Sequence, residues 1–241
     1  MFPKSPRSAL PDVSVTGTSC AQAFPAQRTL VVDSATEACS VALLDEDGTL
    51  LAGDWRMLGR GHAESLVPMI AALPDNGRAD RIAVALGPGS FTGVRVGLAA
   101  ARALALAWHA DIVGYSTLDM IAAMAAAERP GLPLAVAMTG GHGEWFVQTY
   151  DADSAIDMPL SSLHPEQAVE TCPQSLIAGS QAQALLARRV PATGGEALVL
   201  WPDARRFALL SPMALTMDVT PIYGRAPDAL LPGGIKPASA A

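Results

Sequence analysis

The feature that most constrains this chain is Gly87-Pro88-Gly89-Ser90, a hard break between two regular segments. Before it, Arg81 to Leu86 is a short apolar run of the kind found in strands buried on both faces. After it, Phe91 to Trp108 has the length and spacing of a long helix. Gly87 and Gly89 admit backbone angles closed to other residues, and Pro88 sets the turn between them. Ser90 or Thr92 supplies a helix cap. A strand that enters a helix through so tight a turn places the chain in the α/β class.

The surroundings of this unit extend the pattern. Thr29 to Asp33, Cys39 to Leu44 and Thr49 to Trp55 read as strands, joined by Ser34-Ala35-Thr36-Glu37 and Asp45-Glu46-Asp47-Gly48. Leu66, Met69, Ile70 and Leu73 fall at helical spacing in His62 to Leu73, with Pro68 marking a kink or a first turn. Asp111 to Tyr115 is a strand, and Ser116 with Asp119 opens a helix running to about Ala127. Three meandering strands followed by βα units give the ribonuclease-H-like order.

Arg129-Pro130-Gly131 punctuates the chain, and strands begin again at Leu132 to Met138 and Glu144 to Tyr150. Helices follow from near Pro165 and after Ser180, where Gln183 completes a capping box. Ile177 to Gly179 and Ala197 to Leu200 are short strands, and Ser211-Pro212 opens a further helix. The expectation is two tandem ribonuclease-H-like domains, 29–129 and 130–226, the second contracted. Residues 1–28 read as an unpatterned extension and 227–241 as a frayed tail.

Composition excludes several functions. The net charge is −7 and the two lysines, Lys4 and Lys236, lie near the termini, so no clustered surface for phosphate backbones is visible. Cys20, Cys39 and Cys172 are widely spaced, which supports neither a disulfide framework nor a zinc site and fits a reducing, cytoplasmic compartment. No uninterrupted apolar run reaches the roughly 18 residues of a membrane span. His62, His109, His142 and His164 include no pair four apart, so a helical metal pair is absent.

The helix after the turn carries small residues at spacings of three and four, at Gly93, Gly97 and Ala100-Ala101. A glycine inside a helix costs about 1 kcal/mol relative to alanine. Close approach of another element compensates. Either the chain's own sheet or a partner subunit fits that role. Arg95 and Arg102, seven apart, share one helix face, as surface residues or as flanks of a contact.

Two segments carry a family resemblance: Leu30 to Leu44, LVVDSATEACSVALL, and Gly87 to Gly97, GPGSFTGVRVG. Both resemble the signature segments of TsaB-type proteins, members of the ASKHA superfamily with actin and the sugar kinases. Pro221-Ile222-Tyr223-Gly224-Arg225 is similar to that family's closing Pro-x-Tyr-x-Arg strand. The resemblance is strong over residues 29 to 151 and thin beyond.

It implies a non-catalytic scaffold in the machinery that attaches threonylcarbamoyl to tRNA adenosine next to the anticodon. The implied partners are the catalytic paralogue TsaD, the ATPase TsaE, or a second copy of the chain in isolation. Transfer RNA is met only through the complex, and no membrane is involved. The first-domain helices are the pairing surface in such proteins. That points to His62, Leu66, Met69, Ile70, Leu73, Gly93, Arg95, Gly97, Ala101 and Arg102. His62 also reads as a helix cap or surface residue.

Gly87, Pro88, Gly89 and Ser90 form the structural turn. Asp33 and Thr36 match the position where catalytic superfamily members hold nucleotide phosphate and magnesium, here a vestigial cofactor site. No cofactor is required by the chain itself, and ATP or ADP belongs at the partner junction. Relatives have Asp-Ala-Arg before a Gly-Glu, whereas here Thr139 and Gly141 replace that Asp and Arg and only Gly143-Glu144 is kept. Two alternatives from other classes remain, an autonomous ATP-dependent phosphotransferase and a metallopeptidase.

Overall fold

Apolar runs and turn residues sort the chain into eleven strands and five α-helices among the residues described, 27–189 and 194–224 of the computed structural model. β1 (Thr29–Asp33), β2 (Ala38–Leu44) and β3 (Leu50–Met57) form an antiparallel meander. β4 (Arg81–Ala85) runs parallel to β1, and β5 (Asp111–Tyr115) parallel to β4. Every residue of β1, β2 and β4 is buried, as unbroken apolar runs require of central strands.

The sheet order is β11-β5-β4-β1-β2-β3, with β11 (Leu215–Thr216) returning antiparallel to β5. α1 (His62–Ala71) and α2 (Phe91–Trp108) fill the crossovers to β4 and β5, and α3 (Thr117–Glu128) leads from β5 to the second sheet.

A second sheet repeats this plan. β6 (Leu134–Thr139), β7 (Trp145–Tyr150) and β8 (Ile156–Leu163) are antiparallel neighbours. β9 (Leu176–Ala178) is parallel to β6, and β10 (Glu196–Leu198) is parallel to β9. The order β10-β9-β6-β7-β8 matches β5-β4-β1-β2-β3 position for position and direction for direction. Its later parts are shorter: β9 and β10 have three residues each, and α4 (Pro165–Thr171) and α5 (Ala182–Arg188) seven.

The two halves are joined by more than a linker. α3 buries Leu118, Ile121, Ala122 and Ala125 with Leu134, Val136 and Met138 of the second sheet, while Met120 belongs to the first core. Later, residues 202–209 cross back over the meander. The indole of Trp55 donates to the Pro202 carbonyl at 3.2 Å, and the Ala204 amide donates to Ser40 Oγ at 2.9 Å.

Several sequence readings are corrected. β8 is absent from them because Pro159, Ser161 and Ser162 look like a loop. It is an edge strand, where a proline loses no ladder bond. Ser116 makes no capping bond, and Asp119 instead accepts from Gln148 and Tyr150 of β7. The hydroxyl of Ser180 accepts from the Thr139 amide rather than capping α5. Ser211-Pro212 opens only a short 3-10 turn. Residues 221–224 form no strand. Arg225, the extension up to residue 26 and the tail 227–241 lie outside the described residues.

Candidate functional site

The two halves share a cleft of about 650 Å³. Its first wall is the turn after β1 (Ala35, Thr36, Glu37) with the start of α2 (Gly89, Ser90, Phe91, Val94, Arg95). Met138 to His142 and Phe146 face it from the second sheet, and Ile222 to Gly224 close one side. Of the residues singled out in the sequence, Thr36, Thr139 and Gly141 line the cleft, together with Gly89 and Ser90 of the structural turn. Sequence reasoning missed Phe91, Met138, Phe146 and Ile222, because residues on different sheets share no spacing. Phe91 offered one signal, a large apolar side chain at the first, solvent-facing turn of a helix, 61% exposed.

The glycines of the turn are close-approach residues. A Cβ on Gly89 would lie 2.0 Å from the Ala35 carbonyl oxygen, and one on Gly93 would lie 2.1 Å from that of Ser34. Hydrogen bonds lock the same contact: the Ser90 amide donates to Ala35 O at 2.7 Å, and Ser34 Oγ donates to Gly93 O at 2.8 Å. Ser90, not Thr92, caps α2, its hydroxyl accepting from the Gly93 amide.

The small-residue strip therefore faces the chain's own sheet. Gly97 sits against Ser34, Val84 and Val32, and Ala101 is fully buried. On α1, Leu66, Met69 and Ile70 are buried in the same core, as is Leu73 just beyond it, and His62 at the start of the helix is also buried. These residues are buried within the chain and support α1 and α2 from beneath. The helices' outer faces carry Val67, 60% exposed, and Leu106, 79% exposed, with Ala99 and Ala103 also exposed.

Arg95 and Arg102 are surface residues, each committed within the chain. Arg95 lies 3.2 Å over the Phe91 ring and donates to Tyr223 Oη at 3.0 Å, and Arg102 donates to the Val219 carbonyl at 2.8 Å. α2 is long and apolar enough, by length and composition, to cross a membrane. Its inner face packs on β4 and its outer face holds these two arginines, the arrangement of a core helix.

Asp33 lies beneath the cleft, 1% exposed. Its carboxyl accepts from the Ala35 amide at 3.1 Å and from Tyr115 Oη at 3.0 Å. Burial pushes its pKa up to about 7, against the pull of those two bonds, and Asp203 adds to the rise. Thr36 Oγ1 accepts from the Ala38 amide. Across the cleft Thr139 is held by Ser180 and Gln181.

A nucleotide phosphate with its magnesium needs a carboxylate open to solvent. Asp33 has both oxygens engaged below the surface, and position 139 offers a hydroxyl. Neither of these two positions offers an open carboxylate to a metal–nucleotide group; the exposed carboxylate in the lining is that of Glu37. Among the described residues no three of His, Cys, Asp and Glu converge as metal ligands. Cys39 and Cys172 are buried, and burial pushes their thiols up to about 12 and about 11, away from the reactive thiolate.

Comparison with known proteins places this geometry. The family profile of TsaD, tRNA N6-adenosine threonylcarbamoyltransferase, matches residues 56–159. The chain is 37% identical over 131 residues to the tRNA threonylcarbamoyladenosine biosynthesis protein TsaB of Escherichia coli, covering 52% of this chain and 56% of that protein. It is 33% identical over 99 residues to the Bacillus subtilis TsaB, covering 39% and 43%. The chain thus spans about half the length of the curated relatives it matches.

Among solved structures, it is similar to an uncharacterised Pseudomonas aeruginosa protein resembling the peptidase YeaZ. That similarity has a TM-score of 0.68 at 28% identity, over 82% of this chain and 99% of that one. A second structure, YeaZ from the same organism, gives a TM-score of 0.65 at 27% identity.

Proposed function

Because this chain belongs to the TsaB family and has its TsaD-like, ASKHA-type fold, we propose that it is a non-catalytic subunit of the complex that transfers threonylcarbamoyl to tRNA adenosine next to the anticodon. It works in the cytoplasm by pairing with a TsaD-like catalytic paralogue, alongside a TsaE-like ATPase, and pairs with itself when alone. ATP or ADP, in this reading, sits at the junction with the partner. The two sheets are tandem ribonuclease-H-like domains, divided near residue 130, the second contracted.

The observation that carries the pairing role is the outer face of α1 and α2. Large apolar side chains left bare on two adjacent helices mark a contact surface. Val67 and Leu106 stand among exposed alanines there. The buried residues of the same helices act through that surface by holding it in place. The burial of Asp33, with both its oxygens engaged beneath the cleft, and the hydroxyl at position 139 favour the scaffold over a phosphotransferase.

Co-purification with the cognate TsaD, read by size exclusion with light scattering, tests this. The wild-type chain should form a heteromeric complex. Leu106→Arg should abolish it with an unchanged circular dichroism spectrum. A wild-type chain that forms no complex refutes the role, and a Leu106→Arg chain that pairs normally refutes the surface.

A further inference from the structure

We propose that residues 219–224 are a latch, a segment that closes one side of the cleft and opens as a unit while both sheets stay folded. The proposal rests on how this segment is attached and does not depend on the pairing role.

The latch crosses the start of α2 and ends against the second sheet. Arg102 holds the Val219 carbonyl at 2.8 Å, and Arg95 holds Tyr223 Oη at 3.0 Å. The Arg95 guanidinium also lies 5.7 Å from the Tyr223 ring, whose centroid is 6.2 Å from that of Phe91. One backbone bond, from the Ile222 amide to the Leu86 carbonyl at 2.8 Å, ties the segment to the first sheet. At its far end, Gly224 is so close to the second sheet that a Cβ would lie 2.3 Å from Phe146. The segment therefore touches both walls of the cleft, and Ile222, Tyr223 and Gly224 line it.

Among the described residues these attachments are few, and the apolar packing that Val219 and Ile222 add against the first core is only partial burial. None of residues 219–224 is buried, whereas every residue of β1 and β4 is. Local opening draws on the least buried, least bonded segments of a fold. The arginine bonds are solvent-facing and individually weak. Opening the latch removes one side of the cleft and frees both arginines on the outer surface of α2. Cleft width and the α2 surface are thereby coupled through one segment.

Hydrogen exchange of the full chain, resolved by amide, tests the latch by two independent routes. The double variant Arg95→Ala/Arg102→Ala removes the side-chain fastenings. Gly224→Ala leaves them and crowds the segment off Phe146. In each variant, protection of the Ile222 amide should fall at least tenfold, while β1 and β4 amides keep wild-type rates. A fall of less than tenfold at Ile222 in either variant overturns the proposal. So does an equal fall in β1 and β4, which would make the segment part of the global fold.

Discussion

Replacing Asp33 by asparagine should make the protein more stable above neutral pH, and the structure sets the size of the effect. In the unfolded chain the carboxyl ionises near its ordinary 3.8, and in the fold near 7. A group whose folded pKa is raised contributes stability in full below the unfolded value. That contribution is lost as pH rises through the folded value. The gap is roughly 3 pH units at about 1.4 kcal/mol each, so ionising Asp33 costs about 4 kcal/mol by about pH 8.5.

Asparagine can keep both contacts, its carbonyl accepting from the Ala35 amide and its amide donating to Tyr115 Oη. Asp119 is also raised by burial, so the wild-type curve alone mixes two groups. The difference between variant and wild type isolates Asp33. Urea unfolding at about pH 4.5, 6.5 and 8.5 should show the variant gaining on wild type across the series, by several kcal/mol at the top. A difference that stays flat, or that shrinks with rising pH, refutes the argument.

Other perturbations follow from the same geometry. Gly97→Leu should give a chain that does not fold, seen as loss of a cooperative thermal transition, because even a Cβ there would lie 2.6 Å from Ser34 Oγ. Ser90→Ala removes the cap of α2 and should cost about 1 kcal/mol in chemical denaturation, with no change in spectrum. Cys39 and Cys172 should resist iodoacetamide in the native protein and react once it is unfolded, as mapped by peptide mass spectrometry. Modification of either at native conditions would contradict their burial.

Much was legible in the sequence because it is local. The Gly87-Pro88-Gly89-Ser90 break, the unbroken apolar runs of β1, β2 and β4, and the spacing of Leu66, Met69 and Ile70 each state a local preference that packing agrees with. The strands that begin again after residue 130, β6 and β7, were legible for the same reason. The edge strand β8 was not, because an edge tolerates Pro159 and the serines that a central strand would reject. Cap assignments at Ser116 and Ser180 failed because distant partners, Gln148 and Tyr150 for Asp119 and Thr139 for Ser180, competed for the same polar groups.

What the sequence determined by itself is the α/β class, the position of the turn and the resemblance to TsaB-type proteins. It could not decide which way the glycine strip faces. A helix of known phase can still present either face to a sheet, and only the meeting of Gly93 and Gly97 with Ser34, in the turn after β1, turns the strip inward. That contact moves the bare surface to Val67 and Leu106. Tertiary structure likewise buried Asp33 under the turn it supports and drew Arg95 and Arg102 onto a segment more than a hundred residues away. Spacing along a chain records periodicity; it holds no record of which distant groups will satisfy a charge once water is excluded.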